Sequence, residues 1–247
     1  MNLPTETEVL IVGAGPVGLT LAAALARDGV DATLVDRAAE GANTSRAAVV
    51  HARTLEVLSE LDVTGELVSR GVIVPSFNVR DRDRVLLSVG FDKLPTPFPY
   101  TLMVPQNITE EVLLNRLRAI GGEVHRPHEV TGITTEDGRA TAGFADGRRI
   151  RARYVIGCDG MHSTIREHSG IGFTGDSYAE SFVLADVHMD WSEPDDRVLL
   201  FFDPSGVMVV APLPEGRHRI VATLEPAPEH PGVDDIQSLL DTRGPVR

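Results

Sequence analysis

The sequence predicts an α/β fold: a βαβ domain that carries a three-stranded β-meander, followed by a second domain built on an antiparallel β-sheet. Three observations lead there. An apolar strand near the N-terminus runs into a glycine-rich turn and an Ala/Leu-rich helix. Three strand-like runs between residues 129 and 157 are joined at Asp137-Gly138 and Asp146-Gly147, both tight-turn signals. After Gly172 the texture changes to one short strand after another.

The first element is EVLIVGAGPVGLT, residues 8–20: a buried strand, a G-x-G-x-x-G turn and a helix, in the order of a dinucleotide-binding unit. Gly13 permits the tight turn, Gly15 lets backbone N–H groups approach a pyrophosphate, and Gly18 lets the helix lie against the strand. The helix N-terminus offers unpaired N–H donors and about half a positive charge. Residues 32–36, ATLVD, read as a second buried strand ending in Asp36, about 20 residues beyond the loop, where a carboxylate accepts from ribose hydroxyls. An ordinary glycine-rich turn leaves Asp36 without a reason.

A nicotinamide-binding domain would continue with further βα units, and this chain does not. Leu55, Leu58 and Leu61 predict a helix through ARTLEVLSELDV, after which residues 72–94 become extended. Asn107 is the predicted N-cap of the next helix, with Glu110 three places on, Val112, Leu113, Leu117 and Ile120 as its apolar positions, and Gly121 closing it. The meander strands, EVTGITTE, ATAGF and RRIRARYVIG, then lead into Tyr154-Val155-Ile156-Gly157-Cys158-Asp159-Gly160-Met161-His162-Ser163-Thr164-Ile165-Arg166.

Composition narrows the function classes. A chain of 247 residues holds one large or two small domains. Its formal charge of −13 argues against a nucleic-acid partner held on a basic face. Lys93 is the single lysine, which leaves arginine for anion recognition and disfavours Schiff-base chemistry. The lone Cys158 excludes an internal disulfide and fits a reducing cytoplasm. Residues 9–25 are uncharged, but Glu6 and Glu8 precede them and three glycines and a proline interrupt them, so they do not read as a signal peptide. No other run approaches a membrane span, and a soluble protein is expected.

Taken together, these motifs resemble the FAD-dependent aromatic hydroxylases, the family of p-hydroxybenzoate hydroxylase and the polyketide hydroxylases. The resemblance implies a Rossmann-like FAD-binding domain in which the glycine loop and Asp36 hold the ADP half of FAD, so the dinucleotide is FAD rather than NAD. It implies that Asp159-Gly160 lies near the pyrophosphate and is linked to FAD and NADPH binding. Arg46, in SRAAVVHARTLEVL, matches an arginine that reaches the FAD phosphates, and Gln106, in VPQNITEEVLLNRL, matches a glutamine near the ribityl chain. Pro16, Arg37 beside the adenosine, and Val130 complete the implied cofactor contacts. Arginine suits the dianionic pyrophosphate because its fork pairs two oxygens at once.

By the same resemblance, residues 1–72 and 100–171 form the FAD domain, and residues 73–99 and 172–247 form an incomplete substrate domain. The strands ESFVLADVHMDW, DRVLLFFD, GVMVVAPLP and RHRIVATLE supply the floor of its pocket. The family's carboxylate-holding serine and arginine align with Ala211 and Leu213, so a larger, more apolar substrate is expected, such as a polycyclic phenol, with Leu200 and Phe202 beside it. The implied activity is NADPH- or NADH-dependent hydroxylation with O₂ through a flavin C4a-hydroperoxide. No catalytic base is identified, and oligomeric state is open. A full member continues with a second Gly-Asp motif, whereas this sequence ends in VDDIQSLLDTRGPVR, resembling the helix before that return. A non-hydroxylating FAD enzyme, such as a halogenase or reductase, and a non-catalytic flavin- or aromatic-binding protein remain alternatives.

Other features have plainer readings. His125-x-x-His128 straddles Pro127 and offers no common ligand face, so no metal site is expected. Arg80-Asp81-Arg82-Asp83-Arg84 reads as a solvated hairpin edge, Arg219, which resembles a family arginine near the flavin, reads as a solvent-facing strand arginine, and Cys158 as a packed thiol. The arginines at 148, 149, 151 and 153 read as one exposed strand face, and G-x-S-x-G is absent.

Overall fold

The computed structural model describes residues 3–41, 47–176, 180–228 and 230–246. Strand β1 (Glu6–Val12) is buried from Val9 onward. It leads through Gly15, the N-cap, into α1 (Pro16–Arg27), with Pro16 in the first turn, where its missing N–H has no intrahelical partner to lose. Strand β2 (Ala32–Val35) follows, then β3 (Val49–Val50) and α2 (Ala52–Ser59). The leucine spacing predicted one helix to Val63, but α2 stops at Ser59. Asp62 takes φ +59°, which a right-handed helix cannot propagate, and a separate helix α3 (Thr64–Ser69) begins beyond it. Leu58 and Leu61 are buried regardless, because a helix end and the turn after it satisfy the same apolar spacing.

Strands β4 (Val72–Val74), β5 (Ser76–Asp81), β6 (Arg84–Gly90) and β7 (Thr101–Met103) occupy the extended stretch. Helix α4 (Gln106–Ala119) starts one residue before the predicted N-cap, so Asn107 lies inside it. Glu110 accepts from Gln106 Nε2 (2.8 Å), an i,i+4 pair that replaces the expected capping box. After β8 (Val124–His125) come the meander strands β9 (Val130–Glu136), β10 (Arg139–Phe144) and β11 (Arg149–Gly157). Asp137 and Gly138 both have positive φ, +50° and +71°, as a two-residue hairpin turn requires. Helix α5 (Thr164–His168), strands β12 (Phe182–Val187), β13 (Arg197–Asp203), β14 (Gly206–Leu213) and β15 (Arg217–Thr223), and helix α6 (Val233–Arg243) complete the chain.

These elements form two compact units. The first comprises Met1–Arg46, Leu58–Glu66 and Gln106–Gly175. Its sheet has the order β8-β2-β1-β11-β10-β9, parallel from β8 to β11 and antiparallel through the meander. Leu10, Val12, Val35, Phe144, Ile150 and Ala152 form its core, and burial of such side chains contributes about 1.5–3 kcal/mol each.

The second unit comprises Ala47–Val57, Leu67–Pro105 and Asp176–Arg247. Its main sheet has the order β12-β15-β14-β13-β5-β6, beside a smaller sheet β3-β7-β4. The main sheet is mixed rather than wholly antiparallel, because β5 joins β13 in parallel, from Ser76↔Arg197 to Arg80↔Phe201. The two strands are far apart in sequence, so no hairpin dictates their relative direction. One sheet face, with Leu199, Phe201, Met208, Val210 and Ile220, packs on Ile236, Leu239 and Leu240 of α6.

Two arginine expectations are corrected here. Arg80 is not a solvated edge residue: 12% of its side chain is exposed and it pairs with Glu193 at 2.7 Å. Arg219 does not face solvent: it is 4% exposed and makes a bidentate pair with Asp186, at 2.7 and 2.8 Å. Strand position gives an arginine a face but says nothing of what that face packs against. The arginines at 149, 151 and 153 do alternate outward along β11.

Candidate functional site

The site lies in the first unit, at the carboxyl ends of β1, β2 and β11. The chain leaves β1 through α1 to β2 on one side, and β11 pairs with β1 on the other, so β1 is the topological switch point at which a crevice opens. Backbone bonds tie the loops together there: Gly13 N–H donates to Val35 O (2.8 Å) and Cys158 N–H to Val12 O (2.7 Å).

The three glycines divide their work. At Gly13, φ is +102° and a Cβ would lie 2.4 Å from the Cys158 carbonyl oxygen. At Gly18 a Cβ would lie 1.8 Å from the Gly13 carbonyl oxygen, so the helix packs on the loop only without a side chain. A Cβ on Gly15 would meet nothing within 4 Å. Gly13 and Gly18 are therefore demanded by the protein's own packing, and Gly15 stands beside open space at the helix N-terminus.

That space is a cavity of about 460 Å³ lined by the glycine loop, Asp36, Arg37, Gln106, Val130, Asp159 and Gly160, among others. Pro16 also lines it. Asp36 is held in place by the backbone it faces: Oδ2 accepts from Ala14 N–H (2.6 Å) and Oδ1 from Ala38 N–H (2.8 Å). Arg37 is exposed at the rim, whereas Val130 is buried and joins the sheet core. Arg46 lies outside the described residues.

Asp159 points its carboxylate at its own loop. Its Oδ1 accepts from Ser163 Oγ (2.5 Å), its Oδ2 accepts from Ile165 N–H (3.2 Å), and Ser163 in turn caps α5 through Arg166 N–H (3.0 Å). Asp159 thus sets the course of the chain at Gly160, whose φ of +80° carries the loop past the cavity. Cys158 is half-buried, and burial with the neighbouring Asp159 charge raises its thiol above the ordinary range, which disfavours the thiolate.

Sequence reasoning missed several lining residues. Arg126, His128 and Glu129 reach the cavity from the segment after β8, and Glu110, 7% exposed, reaches it from α4. His128 Nδ1 stands 3.0 Å from Arg148 Nη2. Desolvation first, and Arg148 second, lower its pKa and favour a neutral ring. A signal for this segment did exist: it follows β2 in space as the next parallel strand, and the end of such a strand borders the same crevice.

The cavity fits a dinucleotide's pyrophosphate. It has a helix N-terminus, a glycine without steric cover, and an acidic strand end in reach of the loop. The residues named for substrate lie in the second unit. Ala211 and Leu213 pack with Ala48, Val74, Met103 and Val198, so they belong to a core. Leu200 is partly buried and Phe202 is 49% exposed.

Residues 6–236 match the model of the FAD binding domain family. The chain is 38% identical over 230 residues to 6-methylpretetramide 4-monooxygenase of Streptomyces rimosus, covering 90% of this chain and 41% of that protein. It is 32% identical over 227 residues to pentachlorophenol 4-monooxygenase of Sphingobium chlorophenolicum, covering 87% and 42% respectively. Among solved structures it is similar to aklavinone-11 hydroxylase in a ternary complex with FAD and aklavinone, with a TM-score of 0.79 and 27% identity over 97% of this chain and 50% of that one. The chain therefore spans about two fifths of the length of the curated relatives it matches.

Proposed function

Because the chain belongs to the FAD binding domain family, we propose that it is the FAD-binding and substrate-floor portion of an aromatic monooxygenase. The observation that carries this reading is the open position at Gly15 beside the α1 N-terminus, in a loop whose other two glycines are closed by their own packing. The overall reaction consumes one reduced nicotinamide, one proton and one O₂, and turns an aromatic C–H into C–OH with release of water. When bound, the flavin supplies the electron transfer and the oxygen activation.

This chain's residues bind and orient. The α1 N-terminus and the amide at Gly15 would take the pyrophosphate, Asp36 would accept from the ribose, Arg37 would border the adenosine, and Gln106 would serve the ribityl chain. By the family resemblance, Arg46 would add a guanidinium to the phosphates. Asp159 and Gly160 shape the loop along the pyrophosphate.

The relatives named for tetracycline-type and chlorinated phenol substrates support an aromatic substrate. A neutral, polycyclic one suits the sheet. Phe182, Leu184 and Phe202 are exposed on it, and Arg219, which pairs in register with Ala211, is already bound bidentate by Asp186. A substrate carboxylate there would compete with that pair. The protein is read as cytoplasmic, consistent with a single reduced cysteine; no described helix is long and apolar enough to cross a membrane.

The test is to titrate the purified chain with FAD and follow flavin absorbance through gel filtration, then to assay the full-length protein for NAD(P)H oxidation with polycyclic phenols. Retained flavin and a hydroxylated product bear the proposal out. A chain and a full-length protein that both ignore FAD would overturn it.

A further inference from the structure

The cavity's charge is opposite to what its ligand needs. Among the described residues lining it, Asp36, Glu40, Glu110, Glu129 and Asp159 carry carboxyl groups, and two, Arg37 and Arg126, carry guanidiniums. Arg37 is exposed, while only 15% of the Arg126 side chain is. A dianionic pyrophosphate entering such a site depends on where the sheltered cation is placed.

Arg126 is placed against the glycine loop. Its Nη2 donates to the carbonyl oxygen of Ala14 (3.3 Å), and its Nη1 lies 4.0 Å from Asp36 Oδ1. Asp36 in turn accepts from the Ala14 N–H (2.6 Å), so the residue before Gly15 is gripped on both sides, by an anion at its N–H and a cation at its carbonyl. A trans peptide points its C=O and N–H in opposite directions. Holding the Ala14 carbonyl toward Arg126 therefore turns the Gly15 N–H away from Arg126, at a residue where a Cβ would meet nothing within 4 Å.

The geometry points to Arg126 as a positioning residue for the cofactor: it orients the Ala14–Gly15 peptide so that the loop amide faces the pyrophosphate, and it offsets the Asp36 carboxylate beside that anion. This rests on the FAD reading above. Lysine substitutes only in part, because a single ammonium on a flexible stem keeps the charge but does not reproduce a fork that spans a carbonyl and a carboxylate.

The experiment is fluorescence titration of FAD into the wild-type chain, Arg126→Gln and Arg126→Lys at two salt concentrations, alongside thermal melting of each apo-protein. Charge-assisted hydrogen bonds of this kind predict that Arg126→Gln weakens FAD binding by about tenfold or more and shows a smaller salt dependence than wild type, a loss larger than any fall in apo melting temperature accounts for. Arg126→Lys is expected to fold as wild type and to bind with intermediate affinity. Wild-type affinity in either variant overturns the assignment. Loss of FAD binding in Arg126→Gln that merely tracks a lowered apo melting temperature also overturns it, as does wild-type salt dependence in that variant. Should the wild-type chain itself bind no FAD, the failure belongs to the cofactor reading and not to Arg126.

Discussion

Two glycines three residues apart, Gly15 at the N-cap of α1 and Gly18 within the helix, respond to opposite constraints. Gly18→Ala would drive a methyl carbon to 1.8 Å from the Gly13 carbonyl oxygen, and the backbone must shift to accept it. The expected loss is about 3 kcal/mol of stability, read by denaturant unfolding. Gly15→Ala meets nothing within 4 Å, and φ at Gly15 is −76°, a value alanine adopts freely. Its unfolding midpoint should match wild type while FAD affinity falls about tenfold, roughly 1.4 kcal/mol, because the methyl occupies the cofactor's space. Equal destabilisation by both substitutions would contradict the division of roles. Cys158 gives a second test: burial and the Asp159 charge both disfavour its thiolate. Alkylation at neutral pH should be slow, should accelerate only above the ordinary thiol range, and should slow further when FAD fills the cavity.

Among the elements, α6 shows what a helix adds to a sheet beyond its apolar face. Arg243, 4% exposed in its last turn, donates from Nη1 to the carbonyls of Val207 (3.1 Å) and Thr223 (2.8 Å). Its Nη2 donates to the Ser205 carbonyl (2.8 Å) and its Nε to Ser205 Oγ (3.1 Å). One guanidinium thus ties the helix end to the β13–β14 turn and to β15, where Gly206 leaves room for it: a Cβ there would stand 3.2 Å from Arg243 Nη2. Arg243→Met keeps the apolar stem and removes every donor; it is expected to cost about 1–3 kcal/mol, measured by chemical denaturation, because three partly buried carbonyls lose this partner. The sequence pointed to α6 as a helix, but nothing in its spacing marked Arg243, since a helical arginine near a C-terminus has the same appearance whether it caps a sheet or faces water. The same blindness applies to Arg80 and Arg219. By contrast, β1, α1, β2 and the meander were legible, because local patterns specify them: a continuous apolar run, Asp-Gly turns and a glycine motif whose spacing is set by the turn itself.

For the whole molecule, two units with separate cores make FAD binding a regional event. In hydrogen exchange, adding FAD at about 100 times its Kd should slow exchange by up to the equivalent of 2.7 kcal/mol in residues 12–18, 36–38, 126–130 and 158–164 of the first unit, the segments that supply most of the cavity lining. The core of β13, β14 and β15 in the second unit should keep its rates. Uniform protection across both units would mean that the cofactor's binding energy is not localised at the loop.

What the sequence determined by itself is the cofactor class and the motif that carries it: Gly13, Gly15, Gly18 and Asp36 lie within one βαβ unit, and their spacing is dictated by short-range geometry. The order of the meander and of the later strands was equally local. What only the tertiary structure decided is everything that depends on segments distant in the chain. The parallel pairing of β5 with β13, the packing of Ala211 and Leu213 into a core, the burial of Arg219 against Asp186, and the arrival of Arg126 at the Ala14 carbonyl are examples. Each joins residues more than 30 positions apart, and one-dimensional patterns record which face a side chain takes but not the neighbour that face will meet.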